Sequence, residues 1–284
     1  EKAAAIAKAS TLLSISQNTA KDFKEYYPSR ANDQITVAHC ATSSLFQPSG
    51  PHEIVNFRAK HTIRNPYFLL VGLTYKRADY KSAALFFEGF AKLSDREKYE
   101  IVCAGDATFN DEFRPMCGGA TIHDVKLSEK ELVDAYSGAI ALVYPSQYEG
   151  FGMPLLEAAA CGCPVITCHN SSIPEVIGDA AIFVDDKDAS EMSDALMKVQ
   201  DEDVRKQMIQ NGLTRPKLFS WTKTAAIIAN KLESLAGTSI NPFSNIPLQP
   251  VQSISTSVPL DQLRERRREI AKSCIDLGYD GVVS

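Results

Sequence analysis

Several absences narrow the class of this sequence. There is no C-x-x-C pair among the seven cysteines, Cys40, Cys103, Cys117, Cys161, Cys163, Cys168 and Cys274. The count is odd, and Cys103 sits in the apolar stretch YEIVCAG, which fits buried free thiols in a reducing cytoplasm better than a zinc or disulfide framework. No unbroken apolar run approaches the ~18 residues of a membrane-spanning helix. There is no secretory signal with a basic start, an apolar stretch and a small-residue cleavage site. Basic charge is not in excess: 30 lysines and arginines stand against 35 aspartates and glutamates, a net charge of −5, which argues against a general nucleic-acid binder. The chain does not start with methionine. Its opening, EKAAAIAKAS, is alanine-rich and helix-like, as expected of a fragment of a longer protein or of a processed one.

What is present is ordinary in bulk and informative in pattern. With 284 residues, 44% of them apolar, the chain can bury one large core or two small ones. Short apolar runs alternate with amphipathic ones. PYFLLVGL (66–73) reads as a buried strand. KSAALFFEGFAKL (81–93) follows, with Leu85, Phe86, Phe90 and Leu93 at helical spacing. Further strands are expected at 98–105, 121–125, 139–146, 164–168 and 180–185. Helices are expected at 128–139, where Ser128 and Glu131 form a capping box, at 152–162, and in three C-terminal segments ending near residue 237. This rhythm predicts an α/β fold with a doubly wound parallel sheet over 66–237, which binds ligands at the carboxyl ends of its strands. Residues 1–65 are less regular: a short strand and a helix capped by Ser16 or Asn18, then a second short strand within QITVAHCAT. Residues 238–259 hold no charge and many Ser, Pro, Gln and Asn, a linker composition. Residues 260–284 carry a basic helix with four arginines in 264–268. That helix reads as a solvated face before it reads as a partner- or lipid-binding one.

The chemistry concentrates in YEGFGMPLLE (148–157). Glu149 lies in a short glycine loop between a strand and a helix, and Glu157 lies inside that helix. Glycines let backbone N–H groups approach a ligand, and a helix start with its dipole suits an anion such as phosphate. Carboxylates suit hydroxyls. Together these fit a ligand with vicinal hydroxyls and a diphosphate. On spacing alone the plainer reading prevails: two glutamates eight apart occur by chance, Glu157 pairs with a lysine on a helix face, and Lys81 is a surface lysine opening a helix.

The context weighs against the plainer reading. AYSGAIALVYPSQYEGFGMPLLEAAACGCPVITCHNSSIPEVIGDAAIFVDDKD resembles the signature of the retaining glycosyltransferases of family 4, which have two Rossmann-like domains in the GT-B arrangement. PYFLLVGL with YKSAALFFEGF, FSWTKTA near 219–225, SISQNTAKDFKEYYP and ITVAHCATSSLFQPS extend the resemblance over about residues 8–236. It implies the C-terminal, nucleotide-binding half of that fold, with most of the N-terminal Rossmann-like domain missing and only its tail and the crossover present in 1–65. It further implies that Glu157 bonds the donor ribose and that Glu149 faces the donor sugar. The backbone of Gly150, Phe151, Gly152 and Met153 runs along sugar and diphosphate, and Lys81 neutralises the departing diphosphate. The donor is a nucleotide sugar, with GDP-mannose favoured slightly over a UDP-hexose because YKSAALFFEGF resembles that segment of mannosyl- and related hexosyltransferases of bacterial surface polysaccharide. Loops such as 105–127 discriminate the base. The acceptor is a saccharide or lipid-linked. The family needs no metal or other cofactor, and a lipid-linked acceptor would bring the intact enzyme to the cytoplasmic face of a membrane as a peripheral protein.

Two departures stand out. The family's arginine after the strand-ending glycine is replaced here by Leu73, leaving Lys76 or Arg77 of a lengthened loop to supply a second cation. AHCATSSLF lacks the family's usual glycine turn. Tyr144, Ser146 and Tyr148 are expected to shape the pocket, Ser171 and Ser172 to support it, and His123, His169, Cys161 and Cys163 to be structural. Two other classes remain open: a catalytically inactive sugar-nucleotide-binding or scaffolding module of a larger protein, and another GT-B enzyme such as an epimerase or phosphorylase. The full EGFGMPLLEA run disfavours an epimerase. No segment suggests the pyridoxal-phosphate lysine of a phosphorylase.

Overall fold

The computed structural model describes residues 6, 8–73, 81, 83–106 and 108–236. The segments expected as linker (238–259) and basic helix (260–284) lie outside the described residues, as do Lys76 and Arg77. Leu13–Leu232 forms one compact unit. The other unit, Glu1–Leu12 with Glu233–Ser284, lies mostly outside the described residues.

The first described elements are β1 (Leu12–Ser14), α1 (Gln17–Tyr26) and β2 (Ile35–Val37), with β1 and β2 paired as a two-stranded ribbon. Ser16 caps α1, its side chain accepting from the Thr19 N–H. A helix that the sequence had not marked, α2 (Pro51–Lys60), follows; Pro51 at its first position suits the start, and Phe57 is its buried residue.

Six parallel strands then form the main sheet: β3 (Tyr67–Val71), β4 (Glu100–Ala104), β5 (Thr121–Val125), β6 (Ala141–Tyr144), β7 (Val165–Cys168) and β8 (Ala181–Val184). Their spatial order is β5-β4-β3-β6-β7-β8. The intervening helices are α3 (Ala84–Phe90), α4 (Glu129–Gly138), α5 (Met153–Ala160) and α6 (Ile173–Ile177). They are followed by α7 (Ala189–Lys198), α8 (Glu202–Thr214) and α9 (Trp221–Ala236). The Ser128–Glu131 capping box forms as the sequence predicts and opens α4. A 3₁₀ turn over Asp111–Cys117, unmarked in the sequence, packs on α3, and α3 packs in turn on α7. α2, α4, α5 and α8 pack together as a second group. Right-handed crossovers place the two groups on opposite faces of the sheet.

The central strands β3, β4, β6 and β7 are buried on both faces, which is why they read as apolar runs, whereas the edge strand β5 is partly exposed. Phe68, Phe86, Phe87, Phe90 and Phe113 fill one layer, with Phe87 and Phe113 stacked at 4.8 Å between centroids. On the other, the buried Tyr67 hydroxyl donates to the Ala135 carbonyl at 2.6 Å. The chain winds from β3 outward to β5, returns, and winds outward again from β6 to β8. The reversal lies between β3 and β6, so the crevice beyond their carboxyl ends is where this topology admits a ligand. Among the described residues no helix is long and apolar enough to cross a membrane.

Candidate functional site

The loop leaving β6 begins after Tyr144 and ends at Gly152, the N-cap of α5. It is fixed at its root by Thr167 of β7, whose hydroxyl donates to the Tyr144 carbonyl at 2.7 Å. Gly152 has φ 92°, a left-handed conformation that any side chain would strain. No side chain caps α5, and Pro154 removes one N–H from its first turn. The N–H groups of Gly152 and Met153 bond to no described group. A helix start with free N–H groups faces the crevice side of the sheet.

Glu149 is buried at the centre of the loop. Its Oε1 accepts from the Tyr144 hydroxyl at 2.7 Å and from Ser146 Oγ at 2.9 Å, and lies 3.1 Å from Lys81 Nζ. Lys81 comes from beyond β3 and Glu149 from beyond β6, so their pairing closes the crevice where the winding reverses. The Glu149 peptide is held as well: its N–H donates to Ser171 Oγ at 2.8 Å, and Ser172 Oγ donates to its carbonyl at 2.8 Å. Ser171 takes φ 48°, an unusual conformation for a residue with a side chain. The serines expected to support the loop do so.

Glu157 lies further along α5, and its Oε2 accepts from the Tyr136 hydroxyl of α4 at 3.2 Å. Burial pushes its carboxyl above the usual range, an effect partly offset by that hydroxyl. Tyr136 lies in the sequence segment that predicts α4, but nothing there signals its reach across to α5. Phe151 buries its ring in a cluster with Leu156 and Val176, edge-on to Phe219 at 5.5 Å. Met153 packs partly against the same cluster. Leu73, which stands where the resemblance implies an arginine, is buried in the main core and supplies no charge.

Beyond β3, β4 and β5 opens a second recess of about 220 Å³. Val71, Gly72, Ala104 and Gly105 form its floor, Leu127 and Leu132 its apolar wall, and the exposed Asp106–Lys126 pair, 3.0 Å apart, its rim. The remaining singled-out residues are structural. His123 bonds Glu100 at 2.6 Å, His169 stacks edge-on against Phe183, and burial pushes the Cys163 thiol up to about 12.

The comparisons with known proteins agree with this geometry. The model of glycosyl transferases group 1 matches residues 56–215. O-antigen chain mannosyltransferase B of Escherichia coli is 30% identical over 210 residues, covering 70% of this chain and 55% of that protein. D-inositol 3-phosphate glycosyltransferase of Corynebacterium jeikeium is 36% identical over 109 residues, 37% of this chain and 26% of that protein. Sucrose-phosphate synthase from Thermosynechococcus elongatus superposes with a TM-score of 0.66 at 24% identity, covering 82% of this chain and 60% of that one. Anabaena HepE, solved in complex with UDP-glucose, gives a TM-score of 0.63 at 15% identity, covering 81% of this chain and 64% of that one. The chain therefore spans little more than half the length of the mannosyltransferase it matches, and its sheet has the fold of the GT-B glycosyltransferases. A match over residues 56–215, which hold all six strands of the main sheet, makes this chain a member of the glycosyl transferases group 1.

Proposed function

We propose that this chain is the donor-binding part of a family 4 hexosyltransferase that moves a sugar from a nucleoside diphosphate to a saccharide or lipid-linked acceptor. The observation that carries the proposal is the Lys81–Glu149 pair at 3.1 Å, set beside the uncapped start of α5 at the reversal of the sheet. Lys81 and the N–H groups of Gly152 and Met153 take the diphosphate, with the backbone of Gly150 and Phe151 alongside. Glu149 takes the sugar hydroxyls and Glu157 the ribose. The recess walled by Leu127 and Leu132 takes the base.

In this reading the bond from the anomeric carbon to the diphosphate oxygen breaks as the bond to the acceptor oxygen forms on the same face and the acceptor hydroxyl's proton passes to the departing diphosphate, so configuration is retained without a protein nucleophile. Lys81 assists because its attraction to the diphosphate grows as charge develops on the leaving group. No metal is required. GDP-mannose is the favoured donor and a UDP-hexose the second choice; the 30% identity to a mannosyltransferase supports the first. A further N-terminal domain supplies the acceptor site, the protein works in the cytoplasm, and a lipid-linked acceptor would bring it to the membrane surface. Lys76 or Arg77 adds a second positive charge.

Calorimetric titration with GDP-mannose, UDP-glucose, GDP and UDP tests this, with the Glu157→Ala variant alongside. Saturable binding of one base series, weakened by the substitution, is expected. Absence of binding by all four would remove the proposal.

A further inference from the structure

The loop that carries Glu149 is also held by α1, a helix more than a hundred residues earlier in the chain. The Tyr148 hydroxyl donates to Asp22 Oδ2 at 2.7 Å, and Thr19 Oγ1 donates to the Gly150 carbonyl at 3.2 Å. Ile15, just before α1, fills the space beside Gly150 so closely that a Cβ there would meet its Cδ1 at 3.2 Å. The residues on either side of Glu149 are thus fastened to α1 and its approach.

The placement of α1 depends in turn on one carboxylate. Ser16 satisfies only the Thr19 N–H, which leaves earlier N–H groups of the first turn without a partner from the helix itself. Glu175 of α6 accepts from the Gln17 N–H at 2.8 and 3.0 Å and from the Asn18 N–H at 3.3 Å. Its Oε1 also lies 2.6 Å from His39 Nε2, just past β2. A carboxylate at a helix N-terminus is favoured by the charge-assisted bonds and by the helix dipole. Arg215 fixes the other end of this residue by donating to the Glu175 and Val176 carbonyls. Glu175 stands three residues after Ser172, which holds the Glu149 carbonyl. One short segment, 171–175, thus reaches the Glu149 peptide directly and the flanking peptides through α1.

We propose that Glu175 is a positioning residue for Glu149: by pinning the start of α1 it sets the Tyr148–Gly150 loop, and with it the carboxylate, against the donor sugar. The proposal rests on the assignment of Glu149 to the sugar. It requires no contact between Glu175 and any ligand. A displacement of the loop by about an ångström is enough to spoil a hydrogen bond to a hydroxyl while leaving the base and diphosphate contacts in place.

The test is the affinity that the sugar adds. The wild-type chain, Glu175→Gln and Glu175→Asp are titrated with GDP, GDP-mannose, UDP and UDP-glucose, and each variant's thermal unfolding is recorded. In the base series that binds, Glu175→Gln should keep its affinity for the nucleoside diphosphate within about twofold and lose about tenfold of the affinity that the sugar contributes. Glu175→Asp, which keeps the charge, should recover part of that loss. A merely structural role would lower both affinities together or neither. Either result, with the wild-type sugar gain intact, overturns the role of Glu175 and leaves Glu149 where it is. A wild-type chain that gains nothing from the sugar overturns both. Should Glu175→Gln fail to fold, the Thr19→Val/Tyr148→Phe double variant cuts the α1-to-loop bonds downstream and is expected to show the same selective loss.

Discussion

The Tyr136 hydroxyl donates to Glu157 Oε2 at 3.2 Å, joining two neighbouring helices. Burial holds the Glu157 carboxyl above its ordinary range. A raised folded value favours the folded state most below the unfolded value of about 4.3, and this contribution is lost as pH rises through the folded value. At neutral pH the ionised carboxylate is therefore a cost to the fold. Glu157→Gln should raise the unfolding midpoint at pH 7 by about 1–3 °C, with the gain vanishing near pH 4. The same change should weaken nucleotide binding about tenfold or more. Calorimetry at the two pH values with one nucleotide titration checks both, and a midpoint at pH 7 equal to or below wild type refutes the first.

Lys81 should act on the diphosphate and not on the base. Lys81→Met should lower affinity for GDP or UDP about tenfold or more while changing affinity for the nucleoside alone less than about twofold. It should also flatten the salt dependence of binding, because one charge contact is gone. Equal losses for nucleoside and diphosphate would assign the lysine a different task.

The two left-handed glycines bounding α5 separate space from conformation. A Cβ on Gly152 would lie 3.0 Å from Leu155 Cδ1 at φ 92°, whereas one on Gly162 would have its nearest neighbour at 3.7 Å at φ 71°. Gly162→Ala should cost about 1 kcal/mol from backbone strain alone. Gly152→Ala should cost more, about 2 kcal/mol. Urea unfolding of the two variants gives the ranking directly.

Glu131 supplies an acid-sensitive contribution far from the crevice. Lys60, the Ser128 hydroxyl and the Ser128 N–H hold its carboxyl well below the usual carboxylate range. A depressed folded value stabilises above the unfolded value of about 4.3 and is lost as pH falls toward the folded one. Glu131→Gln should therefore be less stable than wild type at pH 7. The difference should shrink as the pH is lowered below about 4, as read by thermal midpoints across that range.

The sheet was legible because its central strands are buried on both faces and so read as apolar runs, as in PYFLLVGL. Local caps were legible too: Ser128 with Glu131, and Ser16 as one of the two caps considered for α1. α2 was missed because its mixed sequence buries only Phe57, although Gly-Pro at 50–51 marks its start. Leu73 fills the core at the place where the resemblance implies a cation. Of the supports of Glu149, Ser146 was legible from its place beside the loop, and Ser171 and Ser172 from the family resemblance of their segment. Tyr136, Asp22 and Glu175 reach their partners through the folded chain, and no spacing rule encodes such a reach.

The strand order also sets when the crevice can exist during synthesis. Phe68 of β3 pairs with Ala141 of β6, so β6 must return past β4 and β5 and dock beside the first strand of the main sheet. A nascent chain that has completed α4 owns Lys81 and the recess but neither glutamate. Any affinity for the diphosphate and the sugar together must then arise in one late step, when β6 and α5 have emerged and docked.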